Sequence, residues 1–272
     1  MKALTEISAD ELKHYISTVE LSVEAAPLRE KKVTVVRHSK LSRLVVDTTA
    51  PISASVVGNT VVTFFGSLSR QAREDVENSV EFARLAANAA VKDSGEEWVH
   101  HFLDTFARIG WTYASNFRST SKLADRQLTM DKVALDLLAK LAGAFTGTGL
   151  AQTVVLEAVT STFEALKKQK GPFTLFKEKT ASGNSSGFQA VVCEQDKDGL
   201  VQIKIGCVRC KADMNHTKVL FWDWSRSSVE TVTASAGLLL AIRFDNLRDL
   251  IRQRLLATSG QNYVTTVELA DR

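Results

Sequence analysis

The chain has 272 residues, of which 44% are hydrophobic and 24% are charged, as in an ordinary globular protein. This composition excludes a disordered chain, a collagen-like repeat and a multi-span membrane protein. The formal net charge of +3 is spread almost evenly along the sequence, so no segment carries the concentrated positive field that nucleic-acid binding requires. We therefore expect no nucleic-acid partner.

The first residues and the cysteines indicate where the protein is made. The first residues include the acidic Glu6, Asp10 and Glu11, and they show neither the basic start nor the apolar run that a signal peptide needs. We expect synthesis in the cytoplasm and, if the protein is released, export by a route that reads no such signal. Three cysteines stand in the second half of the chain, and an odd count argues against a disulfide scaffold.

The first quarter of the chain predicts one helix and several strands. Residues 4–17 have an amphipathic pattern in which Ser8 and Glu11 form a capping box. Three β-like runs follow, at 18–24, 32–38 and 41–47. The uncharged stretch 48–69 then contains two β-branched arms around Gly58-Asn59, which predicts a hairpin.

The middle of the chain has the residue spacing of helices. Apolar residues recur at three- and four-residue spacing over 70–93, and an aromatic-rich helix is predicted over 96–117. Two further helices are expected between 129 and 170. The uncharged, glycine-containing stretch 141–156 is shorter than the ~20 residues of a spanning helix, which favours a connection between buried helices over a membrane hairpin.

Beyond residue 172 the hydrophobic period changes to two. Strands are predicted at 173–179, 188–194, 200–211, 218–224 and 229–233, as an antiparallel meander, followed by a helix over 244–256 and a strand over 263–269. The segregation of helices and strands predicts an α+β fold, with a helical middle segment packed against the meander in an unusual topology. We expect a single compact domain over 1–272, mainly helical in 67–170 and mainly β-strand in 172–242.

No motif in the chain indicates catalysis or metal binding. There is no Gly-x-Ser-x-Gly elbow, and the glycines at 147–149 lack both the dinucleotide pattern and a Walker lysine. Glu97, His101 and Asp104 share one face of a predicted helix, but their order is not that of a zinc peptidase. We interpret them as a solvated face, and we predict no catalytic residue and no metal site.

The strand around Cys207 is the most informative segment. Alternation places Val201, Ile203, Ile205 and Cys207 on one apolar face, so the thiol is expected to point into the interior. Two interpretations are open: a small buried hydrophobic side chain, or a thiol that carries a fatty-acyl thioester. The residues alone favour the first, because it is the commonest fate of a free cysteine.

The layout of the chain resembles the Evf family of virulence factors from insect-associated bacteria. The shared features are the length without a signal peptide, a tryptophan near the first third (Trp98), a helical middle, and a β-rich second half that holds Cys207 or Cys210. The resemblance implies a bacterial virulence factor of insect pathogens, whose palmitoyl thioester is needed for virulence and for association with anionic phospholipid membranes. This chain departs from that family in having four tryptophans and two cysteines that compete for the acyl position.

From these observations we expect a non-enzymatic lipoprotein, acylated at Cys207 or, second, at Cys210, that needs no cofactor besides the covalent palmitate. Because one acyl chain gives marginal membrane binding, a second contact is required. The candidates for membrane contact are Trp98, Trp222, Lys167, Lys168 and Lys170. Two alternatives stay open: a pore-forming toxin that inserts 51–69 or 133–166 as a hairpin, and an acyl-transfer enzyme with a cysteine nucleophile and His216 nearby.

Overall fold

The computed structural model describes residues 7–23, 33–36, 52–65, 68–91, 96–115, 185–195, 200–211, 230–240, 246–259 and 264–270. These residues contain both helices and strands, which confirms the predicted α+β class. The helices are α1 (Ala9–Thr18), α2 (Arg70–Ala90), α3 (Glu96–Arg108) and α4 (Arg248–Ser259). The strands are β1 (Val33–Val36), β2 (Ile52–Val57), β3 (Thr60–Phe65), β4 (Trp111–Ser115), β5 (Ser185–Gln195), β6 (Val201–Lys211), β7 (Glu230–Leu240) and β8 (Val264–Ala270).

The strands form one eight-stranded mixed sheet in the order β1-β8-β2-β3-β5-β6-β7-β4. Strands β5, β6 and β7 pair in that order, antiparallel, and are eleven residues long each. The predicted meander is correct for β5 and β6 but differs at β7. This strand extends to Leu240, beyond the predicted 229–233, and it pairs directly with β6 without the intervening strand that the predicted order placed between them. The pairs β1–β8 and β3–β5 are parallel, so the meander is joined side by side to the N-terminal strands. This joining of distant segments is a feature that the local pattern did not predict.

The hairpin predicted around Gly58-Asn59 is confirmed as β2–β3. Gly58 has a φ of 58°, in the left-handed region that favours glycine, and so closes the turn at low cost. The hairpin lies inside the sheet, between β8 and β5, and its described side chains are buried on both sides. It is therefore a central element of the fold.

The first helix is confirmed in its cap but not in its boundary. The Ser8 hydroxyl accepts from the Glu11 amide, and the Glu11 carboxylate accepts from the Ser8 amide, which completes the capping box. The strand expected at 18–24 is wrong over the described residues 18–23. The Thr18 and Ser17 hydroxyls donate back to helix carbonyls, and the Ser22 amide donates to the Leu85 carbonyl of α2, so this segment caps and follows a helix.

The helix expected over 96–117 is correct only in its first part. Helix α3 ends at Arg108, and Gly110 then takes a φ of 107°, which breaks the helical path. Strand β4 begins at Trp111 and pairs with β7 at the edge of the sheet. The aromatic residues on either side of Gly110 thus belong to two different elements.

Helix α2 is the centre of the helical layer. It packs against α3 and α4 and also against β2 and β3. Every residue from Ser79 to Ala87 is buried, which is unusual for a helix with charged residues among them. The core that it shares with the sheet includes Phe64, Val191, Ile203 and Cys207.

Several predicted elements lie outside the described residues. These are the strands at 41–47, 173–179 and 218–224 and the helices between 129 and 170. They stay predictions.

Candidate functional site

The most unusual group of side chains in the described structure lies between α2 and the β2–β3 hairpin. We call it the α2 seam, and it consists of Arg73, Glu77, Glu81 and Arg84 of α2 together with Ser53 and Ser55 of β2. The four helix residues follow one another at spacings of four, four and three, which places them along one face. The seam brings charged groups to a position where a helix usually buries apolar ones.

Contacts at both ends fix the seam on the hairpin. The Arg73 guanidinium carbon stands 5.6 Å from the centre of the Phe64 ring on β3. At the other end the Arg84 side chain lies against the turn, so close that a Cβ atom on Gly58 would come within 2.5 Å of Arg84 Nε. The glycine is needed there both for its backbone conformation and for this approach.

A buried ion pair occupies the end of the seam near the turn. Arg84 Nη2 donates to Glu81 Oε1 at 2.8 Å, and Arg84 Nε donates to Glu81 Oε2 at 3.0 Å. The side chains are only 3% and 7% exposed, so water does not screen the attraction. Such a bidentate pair tolerates burial because each charge has its partner, but it stabilises the fold less than an apolar contact of the same volume.

The middle of the seam holds a carboxyl group in an unfavourable position for a charge. The pKa of Glu77 is raised from 4.5 to about 7, chiefly by burial; the Ser55 hydroxyl and Arg73 oppose the rise, and the neighbouring Glu74 adds to it. Ser55 Oγ is close enough to have this effect, although it makes no hydrogen bond of ordinary geometry. At neutral pH Glu77 is therefore divided between its protonated and ionised forms.

The sheet surface beneath the seam is also polar and incompletely satisfied. Among the described residues, the Ser53 hydroxyl and the Nε2 group of Gln189 are buried without a hydrogen-bond partner, and the Ser55 hydroxyl, which lies near Glu77, has none of ordinary geometry. The Oε1 atom of the same Gln189 accepts from Thr60 Oγ1 at 2.8 Å. A buried polar group without a partner costs about 1–3 kcal/mol, so this interface is weaker than its burial suggests.

Two thiols lie on the helix-facing side of the sheet. Cys193 on β5 is next to Phe64 in register, and Cys207 on β6 is next to Gln189; both are fully buried thiols. Because Cys193 and Gln189 are four residues apart on one strand, the two thiols are separated by roughly 13 Å and cannot form a disulfide with each other. Burial raises the pKa of Cys193 well above its ordinary value, so it is a poor nucleophile.

The placement of Cys207 agrees with the alternation read from the sequence. Its side chain belongs to the same core cluster as Val201, Ile203 and Ile205. Cys210 lies three residues further along β6, in register with Ser186 and Thr231. The sequence thus placed the Cys207 side chain correctly, but it gave no sign that Cys193 lies on the same side of the sheet.

Trp98 does not have the surface position that a membrane contact needs. It is 2% exposed, stacks on Phe102 at a centroid distance of 5.0 Å, and donates from Nε1 to Asn88 Oδ1 at 2.7 Å. The aromatic periodicity of α3 serves the core. The other proposed membrane contacts, Trp222, Lys167, Lys168 and Lys170, lie outside the described residues, as does His216.

The central position of the hairpin bears on the pore-forming alternative. Releasing 52–65 from the sheet would break its ladders with both β8 and β5, and it would expose side chains that are buried on two faces. An inserting hairpin is expected to have one polar and one apolar face. Here the helix-facing side mixes Ser53, Ser55 and Thr60 with Val62 and Phe64, and the other side mixes Thr63 with Ala54, so the described residues show no such division. The structure therefore weighs against this segment as the first to enter a membrane.

The described residues contain no group of three or more His, Cys, Asp or Glu side chains that could hold a metal ion. Glu97, His101 and Asp104 are exposed along α3, as a solvated helix face requires. Among the helices of the described ranges, none combines the length and the hydropathy needed to cross a bilayer.

Sequence reasoning missed the α2 seam for a clear reason. The apolar residues of α2, such as Val76 and Val80, mark the face that packs in the core, and the charged line beside them has the pattern of a solvent-exposed face. A signal did exist in Ser53 and Ser55, which stand at alternating positions on one face of the first arm of the hairpin.

No protein-family model matches the sequence, and no curated protein matches it. Among solved structures, the chain is similar to one described as "DELTA-ENDOTOXIN", with 15% identity and a TM-score of 0.41 over 80% of this chain and 91% of that chain. It is also similar to a structure of the Evf virulence factor, with 11% identity and a TM-score of 0.34 over 80% of this chain and 87% of that chain. The structural neighbours thus include a toxin and a virulence factor, and at these scores neither likeness decides the activity of this chain.

Proposed function

We propose that this protein is a non-enzymatic bacterial virulence factor that carries a fatty-acyl thioester on Cys207 and associates with host membranes. The observation that supports the proposal is the position of Cys207, fully buried on the apolar face of β6 within the helix–sheet core. A hydrocarbon chain attached there would extend among apolar side chains, where it would be shielded from water.

Membrane association would need more than the acyl chain. One such chain gives an association constant of roughly 10⁴ M⁻¹, and a net charge of +3 without a basic block adds little at physiological salt. The second contact would come from Lys167, Lys168 and Lys170, or from Trp222. We expect anionic phospholipid to be the preferred surface.

The acylation is tested by the intact mass of the full-length protein purified from the bacterium that produces it. A surplus of about 238 Da that hydroxylamine removes would support a palmitoyl thioester. Cys207→Ser should abolish the surplus, while Cys193→Ser and Cys210→Ser should keep it. Absence of any adduct from the wild-type protein, or its retention in Cys207→Ser, would contradict the proposal.

The membrane role is tested by co-sedimentation with vesicles of phosphatidylcholine and phosphatidylserine. The acylated protein should bind, and binding should fall only partly as the salt concentration rises. Hydroxylamine-treated protein should bind weakly even at low salt, and neither form should release a trapped dye. Rapid dye release by the de-acylated protein would overturn this function and favour the pore-forming alternative.

A further inference from the structure

The Cys207 thiol has a polar neighbour on the adjacent strand. Gln189 of β5 is in register with Cys207 of β6 in the antiparallel β5–β6 pair, and both side chains are fully buried. Directly opposite residues of such a pair project to the same face of the sheet, with their Cβ atoms about 5 Å apart. The amide group of Gln189 therefore lies on the same side of the sheet as the thiol, one strand away.

One half of this amide has a partner and the other half does not. Gln189 Oε1 accepts from Thr60 Oγ1 of β3 at 2.8 Å. Nε2 has no hydrogen-bond partner among the described residues, although Gln189 is completely buried. Strand β5 lies between β3 and β6, so an amide whose oxygen is held toward β3 directs its NH₂ group away from β3, on the side of Cys207. A buried donor of this kind destabilises the fold unless an acceptor is supplied.

A thioester on Cys207 would supply such an acceptor. Acylation adds a carbonyl oxygen two bonds beyond Sγ, and this oxygen would stand in the apolar core that Cys207 shares with Ile203 and Ile205. A carbonyl that loses its hydration in such a place needs a donor. The donor without an acceptor and the acceptor that needs a donor thus meet at one cross-strand position.

Cys193, the other fully buried thiol of the described residues, has different neighbours. It is in register with Phe64 of β3 and with Ile203 of β6, and both of these side chains are apolar. A thioester carbonyl at Cys193 would find no donor on either in-register residue. The amide of Gln189 therefore distinguishes the site at Cys207 from the site at Cys193.

We propose that Gln189 is a positioning residue for the acyl group: its Nε2 donates to the carbonyl oxygen of a fatty-acyl thioester on Cys207 and fixes the direction in which the acyl chain leaves β6. The inference rests on the proposed acylation but is separate from it, because a thioester can exist on Cys207 without this bond. It also sets the chemical class of the adduct. A thioether, such as a prenyl group, has no carbonyl and would leave Nε2 unpaired.

The bond is tested by the infrared absorption of the thioester carbonyl. Full-length protein is purified from the producing bacterium grown on palmitate that carries ¹³C at the carboxyl carbon. A hydrogen bond to the oxygen weakens the C=O bond and lowers its stretching frequency. S-ethyl thiopalmitate with the same label gives the frequency without such a bond in hexadecane and with it in octanol. The wild-type band should match the octanol value.

Three variants make the test specific. Gln189→Met keeps the length of the side chain but has no donor, so the band should move up to the hexadecane value. Thr60→Val is the matched control, because it removes the partner of Oε1 and leaves Nε2 in place; it should keep the wild-type band. The double variant removes both members of the buried pair, which leaves no unpaired atom to disturb folding, and it should show the hexadecane value.

Failure of this inference and failure of the proposed function give different results. A wild-type band at the hexadecane value, or an unchanged band in Gln189→Met and in the double variant, would overturn the role of Gln189 while the acylation stands. Absence of any adduct in the intact mass of the wild-type sample would overturn the proposed function and this inference together. The mass is measured first, on the same preparation.

Discussion

Helix α2 has two interfaces that are built in opposite ways. Toward α3 and β4 it meets an aromatic cluster of Trp98, Phe102, Phe106 and Trp111, in which neighbouring ring centres are 5.0 to 6.0 Å apart. Toward the hairpin it presents the α2 seam, with a buried ion pair, a carboxyl of raised pKa and two unpaired hydroxyls. One helix therefore has a side whose contacts are mainly apolar and a side whose contacts include buried charges and hydroxyls.

The polar groups on the aromatic side are satisfied, in contrast to those of the seam. Trp111 Nε1 donates to Ser79 Oγ at 2.9 Å, and Ser79 Oγ donates to the Asp75 carbonyl at 2.7 Å. The Asp75 carboxylate accepts two bonds from Arg248 of α4, at 2.6 and 2.7 Å. Burial is similar on the two sides, so the difference lies in whether each buried polar atom has a partner.

The largest expected effect comes from truncating a side chain of the aromatic cluster. Phe102→Ala removes a fully buried ring that contacts Trp98 and Phe106, and we expect a loss of about 4 kcal/mol in the free energy of unfolding. Urea titration followed by circular dichroism measures this quantity. A loss below about 1 kcal/mol would mean that the cluster contributes little to stability and that the comparison is wrong.

The second-largest expected effect comes from removing one charge of the buried ion pair. Glu81→Gln leaves the Arg84 guanidinium buried opposite a neutral amide, and we expect a loss of about 3 kcal/mol by the same titration. The matched control is the double variant Glu81→Leu with Arg84→Met, which replaces both charges and should change stability by less than about 1 kcal/mol. If the double variant loses as much as the single one, the pair contributes net stability and the seam is stronger than we infer.

The pH dependence of stability is expected to be of similar size. Because the folded-state pKa of Glu77 is raised from 4.5 to about 7, its contribution is fully present below pH 4.5 and lost as pH rises through 7, by about 3 kcal/mol in total. Chemical denaturation at a series of pH values measures the slope. Glu77→Gln should remove this slope between pH 5 and pH 8, whereas a slope of equal size in that variant would assign it to other groups.

The smallest expected effect is an increase in stability, whereas Phe102→Ala and Glu81→Gln lower it. Ser53→Ala removes a buried hydroxyl that has no hydrogen-bond partner, and we expect stability to rise by about 1 kcal/mol. Ser79→Ala is the matched control on the aromatic side, where the hydroxyl has two partners, and it should lower stability instead. Equal effects of the two serine variants would remove the distinction between the interfaces.

Local sequence patterns predicted those features whose structure depends only on residues close together in the sequence. The capping box of Ser8 and Glu11, the Gly58-Asn59 turn and the alternation that buries Cys207 were all visible in the sequence, because each depends on residues within a few positions. The boundary at Gly110 was missed because aromatic residues on both sides suit a helix face and a strand face equally.

The sequence by itself determined the α+β class, the positions of β5 and β6 and the burial of Cys207, since periodicity and turn chemistry act over neighbouring residues. Only the tertiary structure decided that β3 pairs with β5, which brings Cys193 beside Phe64 across more than a hundred residues of chain. It also decided that the charged line of α2 faces the sheet, although charges on a helix ordinarily face water. The physical reason is that Glu77 owes its environment chiefly to burial and to the hydroxyl of Ser55, which is distant in sequence, and no local pattern of α2 contains that residue.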